Sequence, residues 1–190
     1  MALPQTLPSF TTEQYLTLER QSEVRHEYLD GFVYAMAGET PEHSTICFNL
    51  AGLVHSQLRN GPCRGFSPNM KVRTDPSGLF AYADLAVVCG KPIFHDDKRD
   101  VLINPTAIFE VLSASTEAYD RGEKFLRYRR GITTLTDYTL IHQSRAIVEH
   151  FTRSTDVVWP SKTIEGIDAT LSIPSIGCEI SLAEIYARVI

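Results

Sequence analysis

Asp84, Glu110 and Lys124 are the residues of this chain whose types and surroundings could hydrolyse a phosphate ester. Asp84 sits in YADLAVV and Glu110 in AIFEVL, each a lone carboxylate among apolar neighbours. An uncompensated carboxylate in such a run costs several kcal/mol unless it is neutralised, hydrogen-bonded or bound to a cation. Short apolar and β-branched runs bounded by turn formers read as buried strands. Strand alternation then puts Tyr82, Asp84, Ala86 and Val88 on one face, and Ile108, Glu110 and Leu112 on another. If the two strands are neighbours in suitable register, the carboxylates converge. Facing carboxylates repel unless one keeps a proton or both bind a cation. A hard ion, Mg²⁺ or Mn²⁺, suits oxygen ligands of this kind.

Lys124 follows on the next predicted helix, four residues from both Asp120 and Tyr128, so the three share a face. Around it, residues 121–130 hold Arg121, Lys124, Arg127, Arg129 and Arg130 against one acid, Glu123. A lysine beside a metal-bound carboxylate pair could position or deprotonate a water, or stabilise charge developing on a phosphate. The four arginines could contact a phosphodiester backbone. Each feature also has a plainer reading. The acids could be a buried pair satisfied by arginines or amides, and Lys124 an exposed lysine paired with Asp120, worth a few tenths of a kcal/mol. The basic run could be a solvated helix face, and Tyr119 and Tyr128 simple packing residues.

The elements that must hold these residues follow from turn and cap signals. Residues 1–10 read as an extended lead-in, and Thr11 or Thr12 caps a short helix in TTEQYLTLERQ. Asp30-Gly31 predicts a hairpin with strands near 26–29 and 32–37. PEHSTICFNLAGLVHSQLRNG reads as a helix of about five turns with Pro41 in its first turn and Ile46, Leu50, Leu53 and Val54 as its stripe. Met70–Arg73, LFAYADLAVVCG and AIFEVLS each read as one strand, with a turn at residues 75–78. A second long helix is expected from Glu117 to Arg130, then strands in TDYTLIH, AIVEHFTR, VVWPSK and ATLSIP, and a small helix in LAEIYARV. This order predicts a mixed α/β or α+β sheet flanked by helices. The chain of 190 residues reads as one domain, with neither internal repeat nor linker.

Composition narrows the classes. No apolar run approaches the roughly 18 residues that span a bilayer. The segment MALPQTLPSFTTEQ has neither a basic nor an apolar signal region, so the expected location is the cytoplasm. Cys47, Cys63, Cys89 and Cys178 are widely spaced and form no C-x-x-C pair, so four buried free thiols are expected. The net charge of −5 does not advertise a nucleic-acid binder, which makes the placement of the positive charges decisive. Phosphate-binding glycine loops, a G-x-S-x-G elbow and H-E-x-x-H are absent from the sequence.

The series YADLAVV, FEVLSAST and DRGEKFLRY, with EYLDG, the His43-Ser44 helix start and DYTLIH, resembles the Uma-type family of endonucleases. That family lies within the PD-(D/E)XK restriction-endonuclease-like superfamily. The resemblance implies a restriction-endonuclease-like core, a mixed sheet with flanking helices, Mg²⁺-dependent phosphodiester hydrolysis and often a homodimer. It implies that Asp84 and Glu110 are the metal-binding acids, that Glu27 is the family's recurrent early glutamate, and that His43 is a weaker candidate. Two positions depart from the superfamily pattern. Ala83 replaces the proline before the aspartate, and Leu112 replaces the lysine two residues after the glutamate. The resemblance makes Lys124 the relocated lysine. The leading expectation is an endonuclease acting on DNA; the residues do not separate DNA from RNA. The alternative is a non-catalytic oligomeric or nucleic-acid-binding module on the same fold, motivated by Leu112 and the acidic net charge.

Overall fold

The structure is a computed structural model that describes residues 9–75, 78–155 and 157–190. Most of the expected lead-in and the middle of the turn at 75–78 lie outside the described residues. Thr11 caps α1 (Thr12–Glu19) through a reciprocal box: its hydroxyl accepts from the Gln14 N–H at 3.2 Å, and Gln14 Oε1 accepts from the Thr11 N–H at 2.8 Å. Asp30 and Gly31, with φ of 48° and 95°, turn β1 (His26–Leu29) into β2 (Phe32–Ala35). α2 (Pro41–Leu58) starts at Thr40, whose hydroxyl accepts from the His43 N–H at 3.2 Å. Its buried stripe is Ile46, Leu50, Val54 and Leu58, one residue per turn.

Six strands follow: β3 (Cys63–Phe66), β4 (Lys71–Arg73), β5 (Leu79–Tyr82), β6 (Leu85–Cys89), β7 (Val101–Leu102) and β8 (Ala107–Leu112). LFAYADLAVVCG, expected as one strand, is thus two. β5 belongs to a five-stranded sheet ordered β2-β1-β5-β4-β7, and the chain crosses to the second sheet at Ala83 and Asp84. The single helix expected over residues 117–130 is also broken. A short α3 (Glu117–Tyr119) runs into a π-helical turn, Asp120–Lys124, and then into α4 (Phe125–Gly131). Such wide turns are rare and concentrate at functional sites.

β9 (Asp137–His142), β10 (Ile147–Thr152) and β11 (Ser161–Glu165) complete the six-stranded sheet, ordered β11-β10-β9-β8-β6-β3, with β8 and β9 parallel. VVWPSK is mostly loop rather than strand, because Pro160 has no N–H for a ladder and Trp159 turns inward against Phe125. β12 (Thr170–Ile173), β13 (Cys178–Ser181) and α5 (Leu182–Ile185) close the chain.

Alternation along β8 sorts the core. Phe109 and Val111 face the α2 stripe together with Leu171, Ile180 and Tyr186. Ile108 and Leu112 face the other way, toward Val72 and Ala81 of the five-stranded sheet and Phe125 and Tyr128 of α4. Glu110 has the parity of this second face, so it points between the two sheets and the π-turn. The mixed α/β expectation holds. The expectation of four free thiols does not: Cys63 and Cys89 stand directly opposite on β3 and β6 and are joined by a disulfide. Their separation of 26 residues hides a contact that only strand pairing creates. Cys47 and Cys178 are free. Among the described residues no helix is long and apolar enough to cross a membrane.

Candidate active site

The register of β6 on β8 decides where the two acids meet. Leu85 pairs with Phe109 and Ala86 with Ile108, so one further step sets Asp84 opposite Glu110. Asp84 is fixed there because its Oδ2 accepts the Val111 N–H at 2.7 Å, which anchors the crossover to the neighbouring strand. The π-turn brings the ammonium. Lys124 Nζ lies 3.0 Å from Glu110 Oε1, 3.5 Å from Asp120 Oδ1 and 3.7 Å from Glu27 Oε1. It donates a hydrogen bond to the Tyr82 carbonyl at 3.1 Å, while the Tyr82 N–H donates to Glu27 Oε1 at 3.1 Å. The last residue of β5 therefore holds both an acid and the ammonium at the point where the chain changes sheets.

Arg25, Glu27, His43, Asp84, Glu110 and Lys124 line one cavity of about 340 Å³. Lys124 is only 4% exposed, which removes the plain reading of a solvated helix lysine. Burial pushes the Glu110 carboxyl well above the usual carboxylate range; Lys124 opposes this, and Asp120 and Asp84 reinforce it. Burial disfavours the Lys124 ammonium, but Glu110 and Glu27 outweigh it and hold the pKa above its ordinary value. The ammonium is thus a fixed positive charge rather than a ready base. For His43, burial opposes protonation, yet Asp84, with an oxygen 3.4 Å from Nε2, and Glu39 raise its pKa overall.

Glu27, Glu110 and Asp120 share one ammonium and Asp84 stands opposite Glu110, so the acids outnumber Lys124 and a cation would offset the surplus. Glu110 Oε1 is buried, and the Lys124 ammonium 3.0 Å away is its charged partner. A buried carboxylate facing a second carboxylate is the chemistry of a hard-cation ligand, so Asp84 and Glu110 fit Mg²⁺ or Mn²⁺.

The sequence-predicted acids, Lys124 and His43 thus converge on one cavity. The four arginines do not line it. Arg121 is gripped by Glu117 and Glu149, at 2.8 Å and 2.6 Å, and Arg127 by Asp30 and Glu123. Arg129 lies over the Phe125 ring, and Arg130 lines a different hollow with Asp75 and Glu123. Sequence reasoning passed over Arg25 as a cavity residue. It lies two residues before Glu27 on extended chain, and that spacing was the available signal. Its guanidinium donates to the Pro68 carbonyl at 3.0 Å and lies over the Tyr82 ring.

Comparisons with known proteins agree with this architecture. An "Uncharacterized protein slr1290" of Synechocystis sp. is 32% identical over 180 residues, covering 94% of this chain and 92% of that one. A second Synechocystis protein, "Uncharacterized protein sll1609", is 30% identical over 171 residues, 90% of this chain and 96% of that one. The crystal structure of a "putative nuclease belonging to DUF820" from Anabaena variabilis superposes with a TM-score of 0.78 at 17% identity, covering 95% of this chain and 99% of that one, and so shares the fold. Residues 12–183 match the Uma2 family model, described as "Putative restriction endonuclease", and the chain belongs to that family.

Proposed function

We propose that the protein is a Mg²⁺- or Mn²⁺-dependent endonuclease that hydrolyses phosphodiester bonds of DNA. The observation that carries this reading is the buried carboxylate of Glu110, set opposite Asp84 and 3.0 Å from a buried ammonium. Family membership supports the reaction class. Bound between Asp84 and Glu110, the ion would polarise the scissile phosphate and lower the pKa of a water. The chain's own groups supply the rest. Lys124, kept protonated by its acids, presents positive charge to the phosphate and orients the attacking water. Glu27 and the Tyr82 carbonyl hold that ammonium in place. Arg25, paired with Glu39 only at 3.9 Å, lines the cavity and presents its guanidinium to the phosphodiester backbone, a role that the closely paired Arg121 and Arg127 do not fill.

The test is nicking of supercoiled plasmid with Mg²⁺ or Mn²⁺ against EDTA, with single-stranded DNA and RNA in parallel. Cleavage by the wild type, lost in EDTA and in Glu110→Ala, is expected. Divalent-independent cleavage, or cleavage kept by Glu110→Ala, would overturn the assignment.

A further inference from the structure

The N-terminal turns of α2 carry two metal-ligating side chains to which the proposed hydrolysis assigns no role. His43 and Cys47 are four residues apart, so both project from one face of the helix, and that face meets Asp84. One ligand atom from each of the three residues lies within 4.8 Å of the others. His43 Nε2 is 3.4 Å from Asp84 Oδ2, and Cys47 Sγ is 3.5 Å from His43 Nδ1. Tetrahedral Zn²⁺ with bonds of about 2.0–2.3 Å holds its ligand atoms roughly 3.3–3.8 Å apart; the two contacts run to opposite ring nitrogens, so binding through Nε2 requires the Cys47 thiol to swing from the Nδ1 side toward Asp84. Glu39 Oε2 stands 3.7 Å from Nδ1, where a carboxylate fixes an imidazole whose Nε2 is bound to metal.

We propose that His43, Cys47 and Asp84 form a binding site for a borderline transition ion, Zn²⁺ in chemical class, which shares Asp84 with the hard-cation pair. Sulfur and imidazole select against Mg²⁺, which demands oxygen, and favour Zn²⁺. Thiolate and carboxylate together balance the two positive charges of the ion. Binding converts the Cys47 thiol to thiolate, so one proton leaves to solvent for each ion bound. His43 and Asp84 line the cavity, which provides the entry path and leaves the fourth coordination position open to it. The site stands on the placement of these three side chains and not on the nuclease reading. Where that reading also holds, Zn²⁺ engages Asp84 and inhibits Mg²⁺-dependent cleavage.

The probe is Co²⁺, whose bond to thiolate gives a near-ultraviolet charge-transfer band, followed by displacement with Zn²⁺ and competition against a chromophoric chelator. The protein is kept with its Cys63–Cys89 disulfide oxidised, so that those sulfurs do not compete. One ion per chain is expected, with the thiolate band present in wild type and in Cys178→Ala. The band should vanish in Cys47→Ser, and Zn²⁺ affinity should fall by about tenfold or more. His43→Gln gives a second route if Cys47→Ser does not fold. A wild type without the band, or a band and affinity unchanged in the folded variant, overturns the site. Glu110→Ala separates the two readings, since it should lose Mg²⁺ binding and keep the cobalt band. A band without any Mg²⁺ binding in the wild type would sink the hard-cation assignment alone.

Discussion

Replacing Glu110 by glutamine should stabilise the metal-free protein at neutral pH while abolishing cleavage. Glu110 is 2% exposed and its carboxyl is pushed well above the ordinary glutamate range, first by burial and then by Asp120 and Asp84. Between the unfolded and the folded pKa the native chain therefore holds a proton that the unfolded chain has lost. Stability then falls as pH rises, by up to about 1.4 kcal/mol for each pH unit of that window. Below the unfolded pKa the penalty vanishes. Glutamine keeps the shape, removes the titration and can turn its carbonyl toward Lys124. For a chain of 190 residues each kcal/mol corresponds to about 2–4 °C in Tm. Thermal melts in EDTA from pH 5 to pH 8 should show wild-type Tm falling relative to Glu110→Gln, with the variant several degrees higher at pH 8. Saturating Mg²⁺ should raise the wild-type Tm and leave the variant unmoved, since a ligand at a hundred times its Kd adds about 2.7 kcal/mol. Parallel pH slopes, or a variant less stable than wild type at pH 8, would refute the idea that the site carries surplus negative charge.

Lys124→Met should act in the opposite sense, costing about 3–5 kcal/mol near neutral pH because Glu110, Asp120 and Glu27 lose their shared cation; urea unfolding with a compensating gain on acidification would check it. Arg25→Ala should weaken DNA binding and flatten its salt dependence, whereas Arg121→Ala should leave affinity within about twofold, as its guanidinium is already neutralised by Glu117 and Glu149; salt-series binding isotherms decide between them. Asp137 is a structural case. Burial pushes its carboxyl up, but hydrogen bonds from His150, Ser175 and Thr136 outweigh this and hold it below the usual range. That stabilisation is present above the unfolded pKa and lost as pH falls through the folded one. Asp137→Ala should cost about 3 kcal/mol near neutral pH, read by denaturant midpoint, and remove this acid-sensitive step.

Local signals determined much of this protein by themselves. The capping residue Thr11, the positive-φ pair Asp30-Gly31 and three of the four stripe residues of α2, Ile46, Leu50 and Val54, act within a few residues of chain, so they read correctly without any partner; Leu58 takes the place expected for Leu53. The oddity of Glu110 was equally legible, because a carboxylate inside AIFEVL is costly wherever that strand packs. What lay beyond sequence depends on contacts between distant segments. The strand through YADLAVV breaks at Asp84 because β5, which ends at Tyr82, is claimed by β1 and β4, while β6, which starts at Leu85, is claimed by β3 and β8. The Cys63–Cys89 disulfide exists only once β3 pairs with β6. The basic run 121–130 looked like one face, but the π-turn sends Lys124 inward to three acids, while Arg121 and Arg127 find carboxylates contributed by β10 and by the β1–β2 turn. Residue types and periodicity could thus name the acids and the lysine. Register and crossover decided that they share one cavity, because charge pairing is settled by distance in space and not along the chain.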